Sequence, residues 1–346
     1  MADKKNIRVL VVDDSKLFAQ SILRGLSAEP GIEVVGAACD PFEARDMILA
    51  THPDVITCDV EMPKMNGIEF VRRLLPQYFV PVVMVSAIGG AVFDAMAAGA
   101  VDFAAKPDGI APADGFIKDL AQKIRAAAMA KSPTRAPAQT AAIKPEAVTR
   151  GTGTPGGIKV IAIGASTGGT EAIFSVLSAL PPTLPPIVVV QHIPAGFSNM
   201  FAQRLDDQTA LRVKEARSGD FLERGKVLIA PGDKHLKVVK NGAFFQAECI
   251  PGERVNGHCP SADVLFESVA RTAGSAALGV ILTGMGYDGA KGLLAMKRAG
   301  ARTIGQDEAT SVVYGMPKVA FDVGAVEFQV PIHGAAAAII RLASGS

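Results

Sequence analysis

Gly164-Ala165-Ser166-Thr167-Gly168-Gly169 follows an apolar run that ends at Ile163 and precedes Thr170-Glu171-Ala172. The run Lys159-Val160-Ile161-Ala162-Ile163 reads as a strand, and the residues after the glycines read as the start of a helix. A serine hydroxyl therefore lies at a strand-to-helix turn, where freed backbone N–H groups can stabilise an oxyanion. The letters fit the G-x-S-x-G pattern of a nucleophile elbow. They also fit a phosphate-cradling turn of a nucleotide-binding unit, or a plain helix N-cap. The choice depends on where a histidine and an aspartate fall later in the chain.

Both fall at strand ends. Pro186-Ile-Val-Val-Val-Gln191-His192 places an imidazole at the end of the next strand, 26 residues after Ser166. Ala277-Leu-Gly-Val-Ile-Leu-Thr283-Gly-Met-Gly-Tyr-Asp288-Gly places a carboxylate in the loop after a later one. If these strands are neighbours in a parallel sheet, Ser166, His192 and Asp288 share one edge. His192 can then take the serine proton while Asp288 orients the imidazole. The order Ser, His, Asp differs from the Ser, Asp, His order of α/β-hydrolases, so the elbow letters do not argue for that fold. A dinucleotide-binding unit expects Asp or Glu about 20 residues past its glycines. This chain instead ends that strand with Gln191-His192. None of His52, His235, His258 and His333 ends an apolar strand run, so each reads as structural or surface.

The chain has 346 residues, 49% hydrophobic and 20% charged, enough for two globular domains. A net charge of +1, with no long basic run and no aromatic stacking platform, argues against nucleic-acid binding. No apolar stretch approaches ~18 residues, and the first residues lack an apolar signal region. A cytoplasmic protein without membrane insertion is expected. Cys39, Cys58, Cys249 and Cys259 share no short metal-type spacing, and Cys39 and Cys58 read as buried, inert thiols. His258-Cys259 near Cys249 lacks a fourth ligand for a metal site.

Residues 126–156 are dense in Ala, Pro, Thr and Gly without periodicity, which marks a flexible linker between residues 1–125 and 157–346. Before it, strands are expected at Ile7–Val12, Val34–Ala38, Val55–Cys58, Pro81–Ser86 and Asp102–Ala105, alternating with helices. That pattern predicts a doubly wound five-stranded parallel sheet with its site at the carboxyl ends of the strands. After the linker, strands beginning at Val160, Ile187, Lys226, Leu278 and Thr303 predict a second α/β domain, with an antiparallel hairpin inside Lys234–Cys259. The helix between Ser86 and Phe103 is expected to be short, its entry loosened by Gly89-Gly90.

Polar residues close the strands of the first half: Asp13 and Asp14 the first, Asp59 the third, Ser86 the fourth, Lys106 the fifth. Carboxylates gathered at one edge repel unless a divalent cation neutralises them, and oxygen ligation suits Mg²⁺. A lysine and a hydroxyl beside that cation point to a received phosphoryl group, with Asp59 as nucleophile and Ser86 and Lys106 contacting its oxygens.

Val-Val-Asp13-Asp14-Ser, Asp59-Val-Glu-Met-Pro-Lys-Met-Asn-Gly67, Val-Ser86-Ala and Lys106-Pro107 resemble a response-regulator receiver domain over residues 5–125. The resemblance implies phosphorylation of Asp59 by a histidine kinase, Mg²⁺ held by Asp13, Asp14, Asp59 and the Glu61 carbonyl, and a cis bond before Pro107. Together with Gly-Ala-Ser166-Thr-Gly-Gly, Gln-His192-Ile-Pro, Ala230-Pro-Gly, Pro260-Ser-Ala-Asp and Thr283-Gly-Met-Gly-Tyr-Asp288-Gly, nearly the whole chain resembles the chemotaxis protein-glutamate methylesterases. That resemblance implies a serine hydrolase acting on methyl esters of glutamate side chains in chemoreceptor helices, with deamidation of glutamine through the same acyl intermediate. It implies Thr167 and Met285 at the oxyanion hole and no cofactor in the esterase site. Because the receiver has no other evident purpose, the unphosphorylated receiver is expected to pack over the Ser166 edge and block large substrates until Asp59 is phosphorylated. A phosphorylation-switched binding module with a vestigial Ser166 is the rival reading.

Overall fold

The computed structural model describes residues 6–87, 89–107, 114–130 and 157–344. The chain divides into two compact units, Met1–Ser132 and Pro133–Ser346.

In the first unit β1 (Ile7–Val12), β2 (Ile32–Ala38), β3 (Val55–Asp59), β4 (Val82–Ser86) and β5 (Asp102–Ala105) form one parallel sheet in the order β2-β1-β3-β4-β5. β3 and β4 are buried along their whole length, because helices cover both faces of a parallel sheet. That is why they read as continuous apolar runs rather than alternations. The helices are α1 (Lys16–Ser27), α2 (Pro41–Thr51), α3 (Gly67–Leu74), α4 (Gly89–Ala97) and α5 (Asp114–Ala127). Short polar side chains start the first three: Ser15 accepts from the Phe18 N–H, Asp40 from Phe42 and Glu43, Asn66 from Glu69.

Two expectations need correction here. α4 has nine residues against eight in α3, so it is not shortened; Gly89 and Gly90 lie within its first turn. The cis peptide bond among the described residues is Cys259–Pro260, and Lys106–Pro107 is not cis. Helix α5 also continues to Ala127, past the expected start of the linker, whose remaining residues 131–156 lie outside the described ones.

The second unit carries β6 (Val160–Ala165), α6 (Gly169–Ser178), β7 (Ile187–Gln191), α7 (Phe197–Gln208), β8 (Arg212–Glu215) and β9 (Lys226–Ile229). The antiparallel hairpin β10 (Lys234–Asn241) and β11 (Phe244–Pro251) follows, then α8 (Ala262–Ala273) and β12 (Ala277–Ile281). α9 (Ala290–Arg298), β13 (Arg302–Gln306), α10 (Met316–Asp322), β14 (Phe328–Val330) and α11 (Ile332–Ser344) complete it. Seven parallel strands run in the order β14-β13-β12-β6-β7-β9-β8. The edge strands β8 and β14 were not legible in the sequence. Each is short, polar on at least one position and paired on one side, so neither carries an apolar run.

β6 occupies the centre. The chain winds outward from it through β7 to β8 and β9, then returns to its other flank as β12 and continues to β13 and β14. The reversal of direction falls beside β6, and loops leaving such a point splay apart and open a crevice. Below it, Phe266, Leu265 and Val269 of α8 pack on Val160 and Ala162 in the core.

Candidate active site

Three adjacent strands deliver the three side chains. β6 ends one residue before Ser166, β7 ends at Gln191 just before His192, and the loop after β12 carries Asp288. Backbone bonds hold these ends in register: Ser166 N–H donates to the Thr283 carbonyl at 3.0 Å, and His192 N–H to the Ala165 carbonyl at 3.2 Å. His192 Nδ1 lies 3.1 Å from Ser166 Oγ, and His192 Nε2 lies 2.9 Å from Asp288 Oδ2. The separation along the chain, 26 and 96 residues, is closed entirely by sheet order.

Asp288 is buried at 1% exposure and is surrounded by donors. Oδ2 accepts from His192 Nε2 and from the Ala262 N–H at 2.6 Å. Oδ1 accepts from Ser261 Oγ at 2.7 Å, Asn256 Nδ2 at 2.8 Å and the Asp263 N–H at 3.3 Å. The carboxylate thus caps the N-terminus of α8, where the helix dipole favours negative charge. Burial alone would raise its pKa, but the hydrogen bonds from His192, Ser261 and Asn256 outweigh that and hold the carboxyl well below the usual range. An ionised carboxylate only accepts, so Nε2 must carry the ring proton of neutral His192 and Nδ1 presents its lone pair to Ser166. The two nitrogens are exchanged relative to the trypsin-like arrangement, in which Nε2 faces the serine.

The turn at Ser166 is tightly set. Gly168 has φ +75°, and a Cβ there would lie 2.6 Å from Val312. A Cβ on Gly169 would fall 2.1 Å from Gln191 Oε1 and 2.7 Å from Ala165 Cβ. Gln191 in turn donates from Nε2 to the Ser166 and His192 carbonyls, clamping nucleophile and base strands together. Gly169→Ala is therefore expected to destabilise the second unit by about 1–3 kcal/mol. A lowered urea midpoint checks it; an unchanged midpoint would show that Gln191 can move aside.

The N–H groups first expected to be free at this turn are in part engaged: Ser166 donates to Thr283, and Gly169 donates to the Ser166 carbonyl at 2.7 Å. Thr167 follows the serine in the chain, and Met285 lies in the loop after β12. Thr283 Oγ1 donates to the Thr167 carbonyl at 3.0 Å. Met285 follows Gly284, whose Cβ, if it had one, would sit 2.7 Å from Ser166 Cβ.

In the first unit, ligand oxygens of Asp13, Asp14 and Asp59 come within 4.8 Å of one another. Lys106 Nζ lies 2.5 Å from Asp59 Oδ2 and 2.9 Å from Asp13 Oδ2. Burial raises the pKa of both Asp13 and Asp59 despite Lys106. Burial would lower Lys106, but its bonds to the two carboxylates prevail and raise it. Asp13 Oδ2, buried, has no hydrogen-bond partner of good geometry beyond that ion pair. An under-coordinated buried carboxylate oxygen beside two further carboxylates fits a divalent cation with oxygen ligands. Glu61 lines the adjoining groove with Asp14 and Asn66, and its N–H donates to Asp59 Oδ1 at 3.3 Å. Ser86 is buried at the end of β4, beside Val85, the register partner of Asp59.

The CheB methylesterase family model matches residues 161–339, and the response regulator receiver domain model matches residues 9–111. The protein-glutamate methylesterase/protein-glutamine glutaminase 2 of Syntrophomonas wolfei is 52% identical over 340 residues, 98% of each chain. The chain belongs to the CheB methylesterase family. The protein-glutamate methylesterase/protein-glutamine glutaminase 1 of Caulobacter vibrioides is 48% identical over 350 residues, again 98% of each chain. The crystal structure of the Thermotoga maritima CheB methylesterase catalytic domain superposes with TM-score 0.52 at 37% identity, covering 54% of this chain and 98% of that one.

Sequence reasoning missed several residues of this CheB-family site. Ser261 and Asn256 bond Asp288, and His258, first read as structural or surface, stacks on His192 with centroids 3.7 Å apart and planes 11° from parallel. The available signal was Asn256-Gly257, the strongest short-range sign of a tight two-residue turn. The other histidine of that region behaves as expected: His235 is buried and bonds the Glu253 carbonyl and the Ser261 N–H. All four cysteines are free; Cys58 is buried, whereas Cys39 is only half-buried. Among the described residues, the His258–Cys259–Cys249 region forms no metal-ligand cluster.

Proposed function

We propose that the second unit hydrolyses methyl esters on glutamate side chains of chemoreceptor helices, and that phosphorylation of Asp59 by a histidine kinase regulates it. The observation that carries the reading is the unbroken path Ser166 Oγ–His192–Asp288, with a buried ionised carboxylate at its far end. Ser166 Oγ attacks the ester carbonyl carbon while its proton passes to His192 Nδ1. The tetrahedral oxyanion is held by the backbone N–H groups of Thr167 and Met285. As it collapses, the C–O bond to the methoxy group breaks, His192 returns the proton, and methanol leaves. Water then gives a proton to His192 and attacks the acyl carbon; the bond from that carbon to Oγ breaks, His192 returns the proton to Ser166 Oγ, and the glutamate carboxyl is freed. Glutamine deamidation follows the same course with ammonia as leaving group, a poorer one that depends more on protonation by His192.

Action on the receptors' methylated helices calls for a cytoplasmic location. Among the described residues no helix is long and apolar enough to cross a membrane. Methanol release from methylated receptor membranes tests the activity, and no release by the wild-type chain would overturn it. Addition of a small phosphodonor should increase that release, and Asp59→Asn should remove the increase while leaving the basal rate. A phosphodonor response that survives in Asp59→Asn would move the acceptor elsewhere.

Asp13, Asp14, Asp59 and the Glu61 carbonyl would hold Mg²⁺, whose charge offsets the carboxylates and the phosphoryl oxygens. The carboxyls of Asp13 and Asp59 are held above their ordinary pKa, so at neutral pH their charge opposes folding. A bound cation therefore stabilises the first unit by mass action. Millimolar Mg²⁺ should raise its melting temperature, and Asp13→Asn should lose most of that rise. A wild-type melt indifferent to Mg²⁺ would count against the assignment.

A further inference from the structure

The residues Val255 to His258 close a tight turn in which each end residue bonds the other: Val255 N–H to the His258 carbonyl at 2.9 Å, His258 N–H to the Val255 carbonyl at 3.0 Å. The two central residues, Asn256 and Gly257, both have positive φ, +53° and +84°, the conformation of a type I′ turn. Two side chains leave this turn toward the triad. Asn256 Nδ2 lies 2.8 Å from Asp288 Oδ1 and 2.7 Å from Asp263 Oδ2, so one amide group bridges two buried carboxylates. The His258 ring lies flat against the His192 ring.

A histidine needs both kinds of support. Rotation of an imidazole about its Cβ–Cγ bond is broad and poorly fixed by rotamer preference. The bond from Nε2 to Asp288 anchors one edge of the His192 ring but leaves it free to rock about that edge. Rocking would swing Nδ1 away from Ser166 Oγ and drive the ring into His258, which already sits at van der Waals distance over one face. The anchor is itself buried and must be aimed, and Asn256 joins Ser261 in bonding the Asp288 oxygen that His192 does not use.

We propose that Asn256 and His258 are positioning residues for the catalytic pair. The Val255–His258 turn acts as a single bracket, one side chain aiming Asp288 and the other confining the His192 ring to the plane in which Nδ1 meets Ser166. This rests on the reading of Ser166, His192 and Asp288 as the triad.

Three variants separate positioning from folding. His258→Ala removes the stacked ring; His258→Phe keeps a flat ring and removes its nitrogens. Asn256→Gly deletes the carboxamide and retains a residue at ease with positive φ, so the turn survives. On methylated receptor membranes, His258→Ala and Asn256→Gly should each lower kcat for methanol release by roughly 10–100-fold with KM unchanged. His258→Phe should stay within about threefold of wild type, a small part of that range. A second readout does not depend on turnover. The hydrogen-bonded Nε2 proton of His192 should give a downfield ¹H NMR signal in the wild type and in His258→Phe, broadened or lost in His258→Ala. Unchanged kcat and signal in His258→Ala would overturn the proposal, as would equal losses in the Ala and Phe variants. A rise in KM with kcat preserved would assign His258 to substrate binding instead and overturn it too. Were the wild type to release no methanol while its NMR signal responded to His258→Ala as described, the hydrolase reading would fail and the bracket would stand.

Discussion

Ser166→Ala is expected to lower methanol release from methylated receptor membranes by about 10⁶-fold in kcat, the scale of losing the nucleophile from a serine triad. The reason is covalent: the hydroxyl that His192 Nδ1 bonds is gone, and the alanine methyl cannot form the acyl intermediate. Structure should persist, because the backbone bonds of residue 166 to Thr283 and Gly169, and the Gln191 bond to its carbonyl, involve no side-chain atom of the serine. Equal melting temperatures for the two proteins, with methanol detected only from the wild type, is the result predicted. Equal release by both would remove Ser166 from the mechanism, and no release by either would leave the second unit as a phosphorylation-switched binding module without chemistry.

Asp288→Asn is expected to keep the fold and lower turnover by about 10⁴-fold. Asp288 receives five hydrogen bonds and offers none. An asparagine amide replaces one accepting oxygen by an NH₂ donor, so it opposes donors whichever way it turns. Facing Ser261 and Asn256, the NH₂ meets donors on that side. Facing His192, it drives the ring proton from Nε2 to Nδ1, and the lone pair that should receive the serine proton is gone. Stability follows pH with a definite sign. Because the folded carboxyl titrates below its unfolded value, its contribution is complete above the ordinary carboxylate range and is lost as pH falls through the folded pKa. The melting-temperature gap between wild type and Asp288→Asn should therefore be widest near neutrality and narrow in acid. A gap that widened in acid would contradict an ionised Asp288.

The parts of the site legible in sequence share one trait. Ser166, His192, Asp13, Asp14, Asp59, Ser86 and Lys106 each sit at or just past a strand of near-continuous apolar residues, and parallel sheets collect such ends at one edge. Asp288 lies farther into its loop but belongs to the same edge. The supports were not legible for a different reason. Ser261, Asn256 and His258 lie between the hairpin and α8, in a stretch without periodicity, and their roles exist only where the N-terminus of α8 meets the loop after β12. The expectation of a short α4 failed because Gly89-Gly90 reads locally as a helix breaker. Apolar Val92, Phe93 and Met96, all buried, stabilise that helix through tertiary packing at a cost of about 1 kcal/mol per internal glycine.

Residue pattern alone pointed to two α/β domains, the strand-end chemistry of each and Ser166, His192 and Asp288 as candidate nucleophile, base and orienting carboxylate, because hydrophobic periodicity and strand termini are local properties of the chain. Tertiary structure decided what depends on which strands become neighbours. The order β12-β6-β7 brings Asp288 to His192 across 96 residues. The α8 N-terminus and its donors favour the ionised carboxylate, which accepts the Nε2 proton of His192 and leaves the Nδ1 lone pair to Ser166. Hydrogen-bond direction inside a buried site is a property of the assembled surroundings, and no spacing along the chain encodes it.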